Sequence, residues 1–392
     1  MADDRIHALV AFGTRPEAIK LAPVIRELLR RRGKFRVTVC ATAQHRQMLD
    51  QVVRAFRIPV HHDLNVMKPN QKLDRLTADL TVRVSDVLRE TKPDVVVVQG
   101  DTTTTLATAL ASFYQRIPVA HVEAGLRTQD RYSPFPEEIN RRLATHLSDI
   151  HFAPTPWARD NLLREGVCAD RVFVTGNTVV DAFLEVKRHV DRCPPKIPSL
   201  NSIGEGGRKV ILVTAHRRES FGQPLQRICL ALRRLAFARE DVEIVYPVHP
   251  NPNVRGAVKR LIGDVPRIHL IEPLEYVPFV WLMSQAYLVL TDSGGIQEEM
   301  PSLGRPVLVM RDNTERPEAI DAGVAVLTGT NDRVIQDLVL RLLDDQCAYR
   351  RFARHANPFG DGQASSRIAG HLEEFSAREM DPPPTRSRSM KE

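Results

Sequence analysis

Short apolar runs alternate with amphipathic segments along most of the 392-residue chain. Residues 6–13, "IHALVAFG", form a continuous apolar run that predicts a buried strand. Residues 16–31, "PEAIKLAPVIRELLRR", predict a helix, because leucine, valine and isoleucine recur on one face and Pro16 suits the first position. Similar strands are predicted at "FRVTVCAT", "DVVVVQGD", "IPVAHVEAG", "DIHFAPT" and "RVFVTGN". Valine- and isoleucine-rich runs of this kind are typical of parallel strands covered by helices on both faces.

The alternation breaks at residues 191–208, "DRCPPKIPSLNSIGEGGR", where proline, glycine and serine predict a linker. It then restarts with "KVILVTAH", "VEIVYPVH", "IHLIEP", "AYLVLTD", "RPVLVM" and "GVAVLTG". We therefore expect an α/β protein with two doubly wound domains, residues 1–190 and 209–359, facing each other across a cleft. Residues 360–379 predict a terminal helix, and residues 380–392 a disordered tail.

Composition and charge exclude several classes of protein. Hydrophobic residues make up 43% of the chain and charged residues 26%, as in an ordinary globular protein. No apolar run approaches the ~18 residues of a membrane span, and no secretory signal is apparent, so we expect a cytoplasmic protein without a membrane partner. Five scattered cysteines, never in C-x-x-C spacing, indicate a reducing compartment and no structural zinc. The net charge of +7 is largely local and lacks interleaved aromatics, which argues against a nucleic-acid partner.

Polar residues follow the predicted strands of both halves. Ligands of open parallel sheets bind beyond the carboxyl ends of the strands. The residues found at those ends are Gly13-Thr14-Arg15 with Lys20, Asp101, Glu123, His216 and the stretch from Thr291 to Glu299. Each has an ordinary structural alternative. Asp101 could be the N-cap of a helix at 102–116, Glu137 could be a first-turn acid that complements the helix dipole, and His216 could be a loop histidine.

Common cofactor motifs are missing. No G-x-G-x-x-G follows the first strand and no G-x-x-x-x-G-K-[ST] exists, so neither a nicotinamide cofactor nor a P-loop is expected. His61 and His62 form an isolated pair, which argues against a catalytic metal. We therefore predict no cofactor. In "VLTDSGGIQEE", residues 289–299, turn amides can bind a diphosphate while a helical glutamate accepts hydrogen bonds from a ribose diol. The pattern predicts a nucleotide-sugar ligand.

The sequence also resembles a known family, the non-hydrolysing UDP-N-acetylglucosamine 2-epimerases of bacteria. The resemblance covers essentially the whole chain through "FGTRPEAIKLAPV", "GDTTTTLA", "HVEAGLRT", "PFPEEINRR", "TGNTVVDA", "VTAHRRESFG", "YPVHPNPNVR", "LTDSGGIQEE" and "RDNTERPEA". It implies reversible interconversion of UDP-N-acetylglucosamine (UDP-GlcNAc) and UDP-N-acetylmannosamine (UDP-ManNAc). It also implies two Rossmann-like domains of the glycosyltransferase-B type, a homodimer, and in many members activation by substrate at a second site.

Roles for individual residues follow from the same resemblance. The catalytic residues it implies are Asp101, Glu123, Glu137 and, supporting the departing UDP, His216. The residues it implies for the phosphates, ribose and uridine are Arg15, Lys20, Leu274, Phe279, Ser293, Gly294, Gly295, Glu299 and Arg316. Asp101, Glu123 and His216 are expected to contact the substrate as well. Leu274 departs from relatives with a polar residue there, so its role would fall to its backbone. Gln44 and Gln47 match positions of the activating site.

The chemistry of the sugar indicates how such a reaction proceeds. The hydrogen on C2 is not adjacent to a carbonyl and is therefore only weakly acidic. Departure of UDP from C1 makes C1 electron-poor and acidifies this hydrogen, and its loss gives 2-acetamidoglucal. Return of a proton to the opposite face and re-addition of UDP complete the inversion. This requires an acid–base group on each face, hence paired carboxylates with separated pKa values. Three alternatives stay open: an epimerase of a related UDP-diacetamido uronic acid, a retaining glycosyltransferase of the same fold, and a UDP-sugar sensor.

Overall fold

The computed structural model describes residues 3–43, 46–68, 71–215, 217 and 221–380, without the side chains of Gln47, Asn253 and residues 376–380. The chain forms two compact units. The first comprises Met1–Asp181 and the chain from Gly362 onward, and the second comprises Ala182–Asp361.

Each unit has its own parallel sheet. The strands of the first are β1 (Ile6–Phe12), β2 (Phe35–Ala41), β3 (His62–Asp63), β4 (Val95–Gln99), β5 (Val119–Val122), β6 (Ile150–Ala153) and β7 (Val172–Val174). Those of the second are β8 (Lys209–Thr214), β9 (Val242–Pro247), β10 (Ile268–Ile271), β11 (Ala286–Thr291), β12 (Val307–Val309) and β13 (Ala325–Leu327). The strand orders are β3-β2-β1-β4-β5-β6-β7 and β10-β9-β8-β11-β12-β13. Both orders reverse direction beside the first strand of the unit, as in doubly wound folds.

Helices connect the strands of both units. Their bounds are α1 (Arg15–Arg30), α2 (Arg46–Phe56), α3 (Leu73–Thr91), α4 (Thr103–Tyr114), α5 (Glu137–Leu147), α6 (Pro156–Arg164), α7 (Thr178–Arg192), α8 (Gln223–Ala238), α9 (Pro252–Ile262), α10 (Tyr276–Gln285), α11 (Gly294–Glu299), α12 (Pro317–Asp321), α13 (Asp332–Asp344), α14 (Gln346–Ala353) and α15 (Ala364–Met380). Short 3₁₀ turns occur at Ala169–Arg171, Pro198–Leu200, Glu205–Gly207 and Met300–Leu303. Among the residues described, no helix is both long and apolar enough to cross a membrane.

The apolar runs read from the sequence form the buried centre of each sheet. In the first unit, Val10 of β1 is paired with Val39 of β2 and Val97 of β4, and all three side chains are buried. In the second unit, Leu212 of β8 is paired with Val245 of β9 and Val289 of β11 in the same way. Burial on both sheet faces explains why these strands are continuously apolar rather than alternating. The predicted pair of doubly wound α/β domains is confirmed.

The division between the units differs from the expected linker at 191–208. It follows Asp181, inside α7, and the chain from Gly362 belongs to the first unit. The Asp181 carboxylate explains this return, because it accepts hydrogen bonds from the backbone N–H groups of Ala364 (3.2 Å) and Ser365 (2.8 Å) at the start of α15. Further along α15, Glu373 accepts a hydrogen bond from Arg31 at 2.9 Å. The expected tail falls largely on residues 381–392, which lie outside the described residues.

Candidate active site

The turn after β1 is packed so closely that only glycine fits at its first position. A side-chain carbon at Gly13 would lie 2.2 Å from the Thr104 hydroxyl and 2.3 Å from the Thr42 hydroxyl. Gly13 therefore has a packing role as well as forming a tight turn. Arg15, which the sequence predicts as a ligand of the nucleotide, is the first residue of α1 and is half-buried beside this turn.

The carboxylate of Glu17 joins this turn to the loop that follows β4. It accepts hydrogen bonds from the backbone N–H groups of Gly13 (3.0 Å) and Thr14 (2.7 Å) and from the Thr102 hydroxyl (2.7 Å). Complete burial raises the pKa of Glu17, although these hydrogen bonds oppose the rise. Our sequence reasoning missed Glu17. Its signal was the pairing of Thr14 with Glu17, the spacing of a capping box.

Asp101 is not the cap of the helix that follows it. Thr102 is the N-cap of α4, since its hydroxyl accepts a hydrogen bond from the Thr105 N–H at 3.1 Å. The Asp101 side chain, 27% exposed, instead accepts a hydrogen bond from the Arg141 guanidinium at 2.5 Å. The Asn140 amide donates to the Asp101 backbone carbonyl at 3.0 Å. The structural alternative of an N-cap for Asp101 is therefore wrong, and α5 holds both its backbone and its side chain.

Glu123 is the most enclosed of the predicted catalytic carboxylates. Its side chain is 3% exposed. Its backbone has a φ of 61°, a left-handed conformation that residues other than glycine adopt at a cost of about 1–3 kcal/mol. The Lys20 ammonium donates to both carboxylate oxygens, at 2.7 and 2.5 Å, and the Gln99 amide donates to one of them. Lys20, predicted to bind the nucleotide, is thus bound to Glu123 in this structure.

Glu137 lies at the wall of a cavity of about 410 Å³. It is the first residue of α5 and is half-buried. The cavity is lined by Thr14, Met67, Lys68, Gln71, Leu73, Leu76, Thr102, Thr103, Pro136, Glu137 and Asn140. The neighbouring Glu138 has a different function: its fully buried carboxylate accepts hydrogen bonds from the Thr128 N–H (3.0 Å) and from Arg142 (3.0 Å). Of the two adjacent acids, Glu138 stabilises the loop and Glu137 faces the cavity.

In the second unit, the loop after β8 is held on both sides of position 216. The Ala215 carbonyl accepts a hydrogen bond from the buried Tyr246 hydroxyl at 2.8 Å, and the Arg217 N–H donates to Asp292 at 2.8 Å. His216, predicted to support the departing UDP, lies outside the described residues.

The start of α11 lies beside two guanidinium groups. Ser293 is the N-cap residue, and its N–H donates to the Thr291 hydroxyl at 2.9 Å. Gly294 and Gly295 are the first two residues of the helix. A side-chain carbon at Gly294 would lie 3.8 Å from the Nη2 atom of both Arg217 and Arg316. Backbone N–H groups and two cations therefore meet at this turn, which suits a phosphate group.

Both guanidinium groups have carboxylate partners. Arg316 donates to the buried Glu298, and Arg217 donates to Glu315 at 3.0 Å. Burial works to raise the pKa of Glu315, but Arg217, Arg316 and Arg311 together lower it below its ordinary value. Glu298, which the sequence left without a role, is thus a partner of Arg316, and Arg217 is a neighbour of the turn that our sequence reasoning missed. The Arg-Arg pair in "AHRRES" was its only signal.

Glu299 has a different partner from its neighbour. Its buried carboxylate accepts a hydrogen bond from the buried Tyr276 hydroxyl at 2.9 Å. Tyr276 begins α10, which also carries the half-buried Phe279, and Leu274 is half-buried in the preceding loop.

The sequence predicts an activating site at Gln44 and Gln47. Gln44 lies outside the described residues, and so does the side chain of Gln47, whose backbone belongs to α2. Within the described ranges, no group of three or more histidine, cysteine, aspartate or glutamate side chains could hold a metal ion. His61 instead accepts a hydrogen bond from the Val39 N–H at 3.0 Å. The five cysteines form no disulfide.

Comparison with known proteins decides the family. Residues 27–373 match the family model described as UDP-N-acetylglucosamine 2-epimerase. The chain belongs to the UDP-N-acetylglucosamine 2-epimerase family. Proteins of that name from Escherichia coli (strain K12) and Salmonella typhimurium (strain LT2) are 56% and 54% identical to it, over 92% and 94% of this chain and 96% and 98% of theirs.

A solved structure supports the same assignment. The UDP-GlcNAc 2-epimerase from Neisseria meningitidis, bound to UDP-GlcNAc, is 49% identical and superposes with a TM-score of 0.87 over 94% of this chain and all of its own. The predicted family, its two-domain α/β fold of the glycosyltransferase-B type and its isomerase class are confirmed. The roles of individual residues stay predictions.

Proposed function

We propose that this 2-epimerase family member interconverts UDP-GlcNAc and UDP-ManNAc by inverting C2 of the sugar. One observation carries the proposal beyond family membership: Asp101 and Glu123 follow β4 and β5 at the carboxyl edge of the first sheet, and Glu137 begins α5 and lines a cavity with Thr102. Two of them are held by cations there, Asp101 by Arg141 and Glu123 by Lys20. A relative bound to UDP-GlcNAc supports the choice of substrate.

The reaction we propose begins with elimination. The C1–O bond to the β-phosphate breaks, a carboxylate takes the proton from C2, and the products held by the enzyme are UDP and 2-acetamidoglucal. A proton then returns to C2 from the other face, and the β-phosphate oxygen reforms its bond to C1. Carboxylates can transfer both protons, and no external oxidant or reductant is consumed.

The hydrogen bonds of Glu123 support its assignment as a proton acceptor. Donors that bind a carboxylate favour its ionised form, and Glu123 receives them from Lys20 and Gln99. A carboxylate that already accepts from these donors is better suited to take a proton from C2 than to supply one. We therefore propose Glu123 as a resting base and take Asp101 and Glu137 as the candidates for the opposite face.

The turn at Ser293–Gly295 supports stabilisation of the departing diphosphate. Its backbone N–H groups lie beside Arg217 and Arg316, and preorganised donors of this kind stabilise developing negative charge. Arg15 and His216 are proposed as further phosphate contacts, on the family motifs alone. We propose Glu299 for the ribose diol, and Phe279 with the Leu274 backbone for the uracil.

The experiment that tests this function is anomeric-proton NMR of UDP-GlcNAc incubated with the purified protein. A UDP-ManNAc signal should appear and reach a constant ratio to UDP-GlcNAc, and the same ratio should be reached from UDP-ManNAc. A Glu123→Gln sample serves as the matched control and should show far slower conversion. Release of free sugar, or an unchanged spectrum, would overturn the proposal.

Assembly, regulation and location are proposed on the resemblance to the bacterial family. We propose a homodimer that UDP-GlcNAc activates through Gln44 and Gln47, in the cytoplasm, where five unpaired cysteines are stable. Sedimentation velocity tests the dimer, and a monomer at working concentration would contradict it. Sigmoidal dependence of rate on UDP-GlcNAc, lost in Gln44→Ala with Gln47→Ala, tests the activation.

A further inference from the structure

We propose that Tyr276 is a positioning residue for recognition of the ribose, acting through Glu299. The inference rests on the proposed function and extends it to a residue outside the family-derived set. Its basis is the hydrogen bond from the Tyr276 hydroxyl to the Glu299 carboxylate at 2.9 Å.

The two side chains come from different elements. Tyr276 is the first residue of α10, and Glu299 is the last residue of α11. Both are buried, with 6% and 5% of their surface exposed. A glutamate side chain can adopt several rotamers, and a hydrogen bond from a rigid, buried phenol favours those that keep its carboxylate within reach. Tyr276 thereby contributes to the orientation of the carboxylate oxygens.

Orientation matters for the ligand because a ribose diol presents two hydroxyl groups in fixed geometry. A carboxylate has about four lone-pair sites, so Glu299 can accept from Tyr276 and still accept from both hydroxyls. Without the phenol, the carboxylate is less restricted before the nucleotide binds, and ordering it further on binding weakens the affinity. Tyr276 itself need not touch the nucleotide.

The test compares two nucleotides on the full-length protein. UDP carries the diol, and 2′,3′-dideoxy-UDP lacks it. Calorimetric titration of Tyr276→Phe should give roughly tenfold weaker binding of UDP, as expected for a lost hydrogen bond to a charged group, and less than about twofold change for the dideoxy analogue. With UDP-GlcNAc, KM should rise while kcat changes by less than about twofold, because the ribose contact is equally strong in the bound substrate and in the transition state.

Tyr287→Phe is the matched control. Tyr287 is the second residue of β11, at the end of the strand away from α11, and its hydroxyl donates to the Leu342 carbonyl at 3.2 Å. That variant should bind both nucleotides as the wild type does. The melting temperature of each variant shows that it is folded before titration.

A double-mutant cycle separates positioning from packing. If Tyr276 acts through Glu299, Tyr276→Phe should have no further effect on UDP affinity in a Glu299→Ala background. Equal weakening of both nucleotides, or an additive effect in the cycle, would overturn the inference. Equal affinity of the wild type for UDP and the dideoxy analogue would overturn the ribose role of Glu299 as well, while leaving the epimerase activity measured by NMR intact.

Discussion

Among individual residues, two of the proposed catalytic acids share one feature: each is held by a cation from a different element of the first unit. Lys20 belongs to α1 and binds Glu123 after β5, whereas Arg141 belongs to α5 and binds Asp101 after β4. These ion pairs hold the two carboxylates in position before any ligand binds. The carboxylates should therefore affect chemistry more than nucleotide binding.

We predict that Asp101→Asn, Glu123→Gln and Glu137→Gln each lower turnover by at least ~10²-fold, because each removes an acid–base group. Affinity for UDP should change little, since the groups proposed to bind UDP belong mainly to the second unit. Asp86→Asn is the control, because Asp86 is an exposed acid of α3 that pairs with Arg89. Initial rates and calorimetric titration check both statements. A variant with near wild-type turnover would show that its residue has only a structural role.

Among the elements, the turn between β1 and α1 is a sterically restricted part of the candidate site. Its backbone contacts the hydroxyls of Thr42, after β2, and Thr104, in α4, and Glu17 fixes it to Thr102. The close packing of the β1–α1 turn against α4 and the residue after β2 therefore requires a glycine at position 13.

We predict that Gly13→Ala destabilises the protein by about 1–3 kcal/mol, because a methyl group would overlap two buried hydroxyls. Turnover should also fall, since the turn carries Arg15 and leads to Lys20. Gly33→Ala is the matched control: nothing lies within 4 Å of its added carbon. Urea denaturation followed by circular dichroism measures both variants. Equal stability of the two would contradict the packing argument.

The elements themselves were largely predictable from the sequence. The run "KVILVT" is β8, at residues 209–214, and the acids of "PFPEEINRR" begin α5. Continuous apolar runs and first-turn acids are local signals, so they can be read without knowledge of the fold.

The partners of site residues were much less predictable. Asp101 precedes a helix as an N-cap would, yet the cap is Thr102, because Arg141 and Asn140 from α5 hold Asp101. Likewise, adjacent Glu298 and Glu299 bind Arg316 and Tyr276, 18 and 23 residues away. Contacts between distant segments depend on the packing of elements, which no linear motif contains.

At the scale of the whole molecule, two buried histidines link stability to pH. His121 of β5 and His151 of β6 are paired in register and almost fully buried. Burial lowers the pKa of His121 to about 4 and that of His151 to about 3. In the unfolded chain both histidines are protonated as the pH falls below about 6.5, whereas in the folded chain they stay neutral until a lower pH. The free energy of unfolding should therefore fall as the pH drops from about 6.5 toward 4.

We predict that His151→Phe flattens this pH dependence. Each buried histidine contributes a slope of up to about 1.4 kcal/mol per pH unit within that window, and the variant lacks one of them. His189→Phe, at an exposed position of α7, should leave the slope unchanged. Urea denaturation at several pH values between 7 and 4 gives the slopes. The same slope in His151→Phe and the wild type would contradict the assignment.

The last prediction concerns the fate of the intermediate, and it distinguishes epimerisation with return of UDP from a hydrolytic route that releases N-acetylmannosamine. In deuterium oxide, the product should carry deuterium at C2, because the proton taken by the base exchanges before one returns from the other face. A bridging ¹⁸O between C1 and phosphorus should appear in non-bridging positions of the β-phosphate, because the C1–O bond breaks and the freed phosphate rotates before the bond reforms. Mass spectrometry and phosphorus NMR measure the two labels. Free sugar and UDP accumulating in step with substrate loss would refute the mechanism. Traces of 2-acetamidoglucal with UDP would not, since slow escape of a bound glycal is what elimination allows.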